Sequence, residues 1–336
     1  MPEAAMIIVI LLVLGAEFVN GFTDAPNAIA TVISTRVLRP HSAILMATAL
    51  NTVGALVGTK VAMTIGTGIV RPEAINMLTV GAAMVGIIVW STLAWRFGLP
   101  TSESHALVAG LAGAGMATSG PQVLLWEGWR KVIIGIGFST FLGFLGAMVL
   151  MLAIYWIFFR SPRHVVSRVF GRLQILSSAF MAFGHGSNDA QKFMGVFTLA
   201  LVVGGVLQLD QFHEFRVPIW VIFLCAGTMG IGTACGGWRI IHTMGVRITR
   251  LEPVHGFAAE TASGLVIMLA SAFAIPLSTT HTINTAIMGV GATKRLSAVR
   301  WGVGAEIVSA WILTFPVCGL IAWLIASIGK LIVGVP

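Results

Sequence analysis

Two stretches decide the architecture. Asn20-Gly21-Phe22-Thr23-Asp24-Ala25 is matched by His185-Gly186-Ser187-Asn188-Asp189-Ala190, 165 positions further on. Each places an aspartate inside an otherwise apolar run. Working outward, Gly58–Gly66 aligns with Gly237–Gly245 at an offset of 179, and Phe97–His105 with Phe273–His281 at an offset of 176. Gly113 and Gly115 then fall on Gly289 and Gly291. Three blocks recur in one order at nearly equal offsets. The chain therefore reads as two homologous halves, 1–158 and 173–336, joined by a basic segment, 159–172.

The surroundings of these blocks are those of a membrane protein. Of 336 residues, 57% are hydrophobic and 10% charged, where a soluble domain carries about 25% charged residues. Mean hydropathy is +0.95. This excludes an ordinary soluble domain and a disordered chain. The apolar runs are continuous rather than alternating, which excludes a transmembrane β-barrel. An all-α polytopic membrane protein is expected. The first helix covers 6–22, breaks near Asp24 and Pro26, and continues as a short piece to Leu38. Full spans are predicted at 43–65, 76–97, 131–159, 218–235 and 255–275. Residues 175–207 form a run interrupted at His185–Asp189, 208–217 a polar loop, and 238–252 a basic interfacial stretch. Pro316 should bend or divide 299–331. Two segments, about 100–119 and 276–292, are too broken by Gly and polar residues to span cleanly and read as re-entrant hairpins.

The net charge of +8 does not mark a nucleic-acid surface. Arg160, Arg163, Arg168 and Arg172 fall together with His164 and no acid, the positive-inside signature of a cytoplasmic loop. Cys225, Cys235 and Cys318 are isolated in apolar sequence, so neither zinc nor a disulfide framework is suggested. Met1-Pro2-Glu3 lacks a basic start, so the first run is expected to remain as a membrane helix.

Gly/Pro-interrupted segments at matching places in two halves point to the central site of a transporter. Ionised carboxylates within a membrane are costly, about 2.5–3.5 kcal/mol even on insertion scales, so Asp24 and Asp189 are functional candidates. Asn27, Asn188 and Gln191 flank them. Together these oxygens suit a hard cation, while the carboxylates alone could carry a proton. Pro100-Thr101-Ser102-Glu103-Ser104-His105 and Pro276-Leu277-Ser278-Thr279-Thr280-His281 look like helix starts. Free N–H groups, the positive dipole end and Ser/Thr hydroxyls there make an oxyanion cradle. Simple N-capping is the alternative for Ser102 and Ser278. His105 and His281 are expected to support these tips. Glu260, in the run before the second hairpin, is a candidate proton or cation relay; Glu17 and Glu306 have weaker claims. Lys192 pairs with Asp189 or meets an anion. Gly54 and Gly58 have the spacing of close helix packing.

These motifs resemble those of the inorganic phosphate transporter family, the PiT or Pho4 type. The resemblance rests on Asn20–Ala28, on His185–Lys192, on Pro276–His281, on Gly237–Gly245 and on Arg295–Trp301, and it covers nearly the whole chain. It implies about 10–12 membrane segments in two inverted-topology repeats, often a homodimer, and cation-coupled uptake of inorganic phosphate across the cell membrane without a cofactor. By that resemblance Asp24, Asn27, Asn188 and Asp189 fall on cation and substrate positions. Thr101, Ser102, Ser104, Ser278, Thr279 and Thr280 fall on phosphate-binding tips. Thr23, Glu103 and Asn51 depart from the pattern, and together with the Asn20 and His185 motifs they resemble a proton-coupled bacterial branch more than a sodium-coupled one. The coupling cation is H+ or Na+.

Charge supplies the coupling argument. An oxyanion brought beside two buried carboxylates is strongly opposed until positive charge arrives. Cation binding at Asp24 and Asp189 is thus expected to precede phosphate binding at the tips, with Glu103 as a further proton carrier. A sulfate permease of the same fold and an anion channel are the competing transport readings. A membrane hydrolase lacks a nucleophile elbow.

Overall fold

The computed structural model describes residues 2–207 and 216–333. The loop expected at 208–217 lies mostly outside the described residues. Fourteen α-helices are described: α1 (Pro2–Asp24), α2 (Pro26–Ser34), α3 (Pro40–Ala55), α4 (Lys60–Gly68), α5 (Met77–Arg96), α6 (Glu103–Ser119), α7 (Trp126–Gly137), α8 (Gly143–Ile157), α9 (Arg163–Val203), α10 (Ile219–Cys235), α11 (Trp238–His242), α12 (Pro253–Ala272), α13 (Thr279–Ala292) and α14 (Trp301–Val333). Short π-helical turns join α7 to α8 and extend α11 as far as Arg247. Among the described residues, five helical stretches are long and apolar enough to cross a membrane, or seven if each of two bent pairs counts as one span. Apolar side chains such as Leu11, Phe141, Trp156 and Ile312 face outward, which suits a lipid surface and not water.

The breaks have local causes. Pro26 has no N–H to continue α1, and its ring excludes the carbonyl four residues back, so α1 stops at Asp24 and α2 starts afresh. The matched position in the second half, 165 residues on, is Gln191, which keeps its N–H. α9 therefore runs unbroken for 41 residues through His185–Asp189, which corrects the expected interruption there. The basic segment 159–172 is likewise mostly helix, because α9 already begins at Arg163. The span predicted over 43–65 is two helices bent by 70°. Gly58 takes the turn with φ +86°, a conformation glycine adopts without Cβ strain. The α10–α11 pair bends by 62° at Gly236, φ +65°. α14 continues through Pro316 as one helix.

Residues 103–119 and 279–292 are single helices, not hairpins in themselves. Each is the return arm of a larger hairpin, α5–α6 or α12–α13, whose tip carries the hydroxyl motif. A 17-residue and a 14-residue helix buried on nearly all faces read as broken spans because small and polar residues are what lets them pack inside protein.

Two apolar clusters hold the arrangement. One joins α1, α5, α6, α10 and α14 with the second part of α9. The other joins α2, α3, α8, α12 and α13 with the first part of α9. α14 packs on α6 while α8 packs on α13, so the last helix of each sequence half clasps the hairpin of the other. α9 and α3 meet closely: a Cβ on Gly186 would stand 2.1 Å from the Asn51 carbonyl oxygen, and one on Gly54 2.1 Å from that of Phe183. Any side chain at either glycine would force the helices apart.

Candidate functional site

The two hairpin tips meet the Asp24 and Asp189 segments at the centre of the protein. Asp24 ends α1, and Asp189 projects from the middle of α9. Both are buried, with Asn27, Lys192, Glu103, Ser104, Thr279 and Thr280. Thr279 Oγ1 donates to Asp189 Oδ2 at 2.8 Å. Thr280 Oγ1 lies 3.3 Å from both oxygens of Asp24. Asn27 Nδ2 donates to both hydroxyls, at 3.2 and 3.0 Å. The second tip is therefore fastened to both aspartates.

Lys192 lies one helical turn beyond Asp189 and is fully buried. Its Nζ donates to Asp189 Oδ1, to Ser104 Oγ at 2.5 Å and to the Leu277 carbonyl at 2.8 Å. All three protons are used, so in this conformation Lys192 pairs Asp189 and ties the first tip to the second. Ser104 in turn donates to the Leu277 carbonyl at 3.0 Å. Glu103 opens α6, where the helix dipole favours a carboxylate, and accepts from Thr23 at 2.9 Å and from Ser91 at 2.6 Å.

Behind Asp189 runs a second row of polar groups. His185 Nε2 is 3.1 Å from Asp189 Oδ2. Its Nδ1 faces Asn51 Oδ1 at 3.3 Å, and Asn51 Nδ2 donates to Thr233 at 3.0 Å. Ligand atoms of Asp24, His185 and Asp189 lie within 4.8 Å of one another, close enough to hold one small cation or to share protons. The side-chain carbonyl oxygens of Asn27 and Asn188 are buried without a hydrogen-bond partner, and both are neutral acceptors suited to a cation. Asn188 Nδ2 is taken by Ser271 at 2.8 Å.

The tips themselves are capped helices. Ser102 Oγ accepts from the His105 N–H at 3.3 Å, and Ser278 Oγ from the His281 N–H at 3.2 Å. These two serines act as N-caps. The rings of His105 and His281 meet with centroids 4.5 Å apart, and His281 lies against Trp311, whose Nε1 donates to the Pro100 carbonyl at 2.9 Å. The histidines thus buttress the two tips against each other. Thr101 is buried beside them.

Not every predicted residue joins the cluster. Gln191 turns away: its Oε1 caps the Val61 N–H at 2.9 Å, and its Nε2 takes the carbonyls of Ser187 and Val57. It thereby holds the α3–α4 bend. Glu260 is also placed apart, accepting from Thr31 at 2.5 Å, from Gln174 at 3.1 Å and from Ser177. Glu17 is buried with Asn20 at 3.0 Å, whereas Glu306 pairs with Arg247 at 3.0 Å near the surface. The sequence reading passed over His185 as a site residue, although it stands one helical turn before Asp189 just as Asn20 stands before Asp24. Ser91 and Thr233 carry no sequence signal, because only the fold brings them in.

Buried carboxylates enclosed by two opposed helix tips, within an all-helical membrane body, are the arrangement of a broken-helix transporter's central site. Comparison with known proteins specifies which. The sequence profile of the phosphate transporter family matches residues 20–322, and the chain belongs to that family. It is 44% identical over 307 residues, 91% of both chains, to a Rhizobium meliloti protein described as a probable low-affinity inorganic phosphate transporter. A Bacillus subtilis protein of the same description is 37% identical over 326 residues, 96% of this chain and 97% of the relative. Among solved structures, one described as the sodium-dependent phosphate transporter superposes with a TM-score of 0.87 over 98% of this chain and 100% of that one, at 24% identity. That likeness fixes the fold.

Proposed function

We propose that this protein takes up inorganic phosphate across the cell membrane by symport with a cation, the proton in preference to sodium, through alternating access to the central site. Its two sequence halves, crossing the membrane in about ten segments once α6, α9 and α13 are included, would supply the two sides of that site. One observation carries the reading: the hydroxyls best placed to bind an oxyanion, Thr279 and Thr280, already donate to Asp189 and Asp24. Phosphate competes with those carboxylates for the same donors. Positive charge arriving at Asp24 and Asp189 weakens their hold on the hydroxyls and removes their repulsion of the anion. Both effects favour phosphate only after the cation is bound, which is the thermodynamic content of symport.

An imidazole beside Asp189 suits a proton better than sodium, a hard cation that prefers oxygen ligands. With Asn51 Nδ2 donating to Thr233, Asn51 Oδ1 takes the hydrogen of His185 Nδ1. His185 Nε2 then stands 3.1 Å from Asp189 Oδ2 with no hydrogen bond made between them, and the pair offers an arriving proton two acceptors. The family match favours phosphate over sulfate as the tetrahedral substrate.

The test is phosphate uptake into proteoliposomes under a pH gradient or a sodium gradient, each imposed alone. Uptake driven by the pH gradient supports the reading. Uptake driven only by sodium overturns the choice of cation, and uptake indifferent to both overturns symport. Unlabelled sulfate in excess should leave phosphate counterflow unchanged.

A further inference from the structure

An open, surface-facing cavity of about 410 Å³ lies outside the central site, between the first hairpin tip and the α11 region. Arg96, Arg239, His242 and Arg247 line it, with Gly98 and Thr243 at its floor. The floor is a hydrogen bond: Thr243 Oγ1 donates to the Gly98 carbonyl at 2.8 Å, joining α11's extension to the tip that carries Glu103 and Ser104. Arg239 is held over the Trp95 ring at 5.1 Å and donates to the Arg96 carbonyl. Arg247 has one acidic partner, Glu306. Among the described residues, three guanidinium groups therefore share one carboxylate, and Arg96, Arg239 and His242 are exposed at the mouth.

The repeat-related junction, between the first half's bent helix and the second hairpin tip, is a natural control. There Thr64 Oγ1 donates to the Ala274 carbonyl at 2.9 Å, the counterpart of the Thr243–Gly98 bond at the repeat offsets of 179 and 176. Ala274 even shares the left-handed backbone, φ +55° against +69° for Gly98. Yet Arg96 corresponds to Ala272, His242 to Met63 and Arg247 to Gly68; Arg239 alone keeps a cation, as Lys60. Lys131 also approaches that side, its Nζ 3.5 Å from Thr64 Oγ1. Fastening a tip to a bent helix thus needs no arginine cluster. The three arginines of the first cavity are therefore not there for the fastening; they suit a membrane interface, and their convergence on one cavity also suits an anion.

We propose that this cavity is a docking site for a phosphate-type oxyanion at one mouth of the transport path. Guanidinium groups suit that ligand because they offer paired N–H donors to tetrahedral oxygens and keep their charge at every working pH. A cationic mouth concentrates anions before they meet the carboxylate-lined centre. The assignment rests on the phosphate reading above for its role in transport, but not for binding itself. The oxyanion is free inorganic phosphate or the headgroup of an anionic lipid.

Arginine-specific labelling with phenylglyoxal separates these cases. Purified full-length protein is labelled in neutral phosphatidylcholine nanodiscs with inorganic phosphate or with chloride at equal ionic strength, and Arg96, Arg247 and the surface residue Arg160 are followed by mass spectrometry. Phosphate should slow labelling of Arg96 and Arg247 about fivefold and leave Arg160 unchanged. The same protection in Asp24→Asn shows that the site is independent of the central one and stands even if symport fails. Protection by phosphatidylglycerol and not by free phosphate keeps the site and assigns it to a headgroup. Equal labelling under all conditions overturns the proposal. In transport, Arg96→Gln should raise KM for phosphate about tenfold with kcat near wild type, and an unchanged KM removes the docking role.

Discussion

Thr280 Oγ1 stands 3.3 Å from each carboxylate oxygen of Asp24, across 256 residues of sequence. The hydroxyl belongs to the tip of the second hairpin and the carboxylate to the end of the first helix. The neighbouring hydroxyl, Thr279, stays within its own half and donates to Asp189 at 2.8 Å, so Thr280 is the one that crosses to the other half. The contact makes the tip's freedom depend on the charge state of Asp24.

Thr280→Val should therefore raise KM for phosphate about tenfold, the loss of one hydrogen bond to a charged acceptor of about 1.5 kcal/mol. Thr280→Ser keeps the hydroxyl and should stay near wild type. The two are compared as initial rates of labelled phosphate uptake in proteoliposomes. Equal KM in both variants would show that the hydroxyl makes no contact with substrate.

Lys192 presents a different balance. It is the one ammonium hydrogen-bonded to Asp189, and both are buried. Lys192→Met takes the ammonium partner from a buried carboxylate, at a cost of about 3–5 kcal/mol. Thermal unfolding in detergent should show a marked loss, and adding Asp189→Asn should recover much of it. A double variant no more stable than Lys192→Met alone would mean that the lysine's bonds to Ser104 and Leu277 carry the effect.

How far the sequence discloses this site depends on the scale of the interaction. The membrane class, the paired motifs and the hydroxyl-bearing tips follow from composition and repetition, because each is a property of a stretch of chain. The unbroken α9 does not follow from repetition, since one residue, Pro26 against Gln191, decides whether the helix continues. Gln191 looked like a ligand by proximity to Asp189, but a side chain two positions along a helix points about 200° away, here toward the α3–α4 bend. Ser91 and Thr233 become legible only when helices from distant sequence are packed together. In sequence the hairpins read one arm too late because their first arms, α5 and α12, are apolar enough to pass as ordinary spans.

His185 and Asn51 make a prediction about coupling. If Asp189 and His185 share a proton, His185→Gln removes one site for it without removing the hydroxyl tips. Uptake driven by a pH gradient should fall at least about tenfold. Counterflow of labelled against unlabelled phosphate, which needs no gradient, should persist. Asn51→Leu should act in the same direction and more weakly, since it frees His185 Nδ1 without removing the ring. Loss of counterflow together with gradient-driven uptake would place His185 in substrate binding.

Glu260 tests whether burial of a carboxylate implies coupling. It accepts hydrogen bonds from Thr31 on α2 and from Gln174 and Ser177 on α9, while itself belonging to α12. Gln174 also accepts from Thr35, at 2.8 Å. Three helices thus converge on one side chain, seven residues along the chain from Asp24 at its nearest donor. The partners are enough to hold the group without a coupling role. In Glu260→Gln the amide NH2 must face a hydroxyl or an amide donor, so one acceptor is lost, and stability should drop by about 1–3 kcal/mol. Uptake per folded protein should keep its dependence on the pH gradient. Unchanged thermal stability with abolished gradient dependence would reverse the assignment and make Glu260 a second proton carrier.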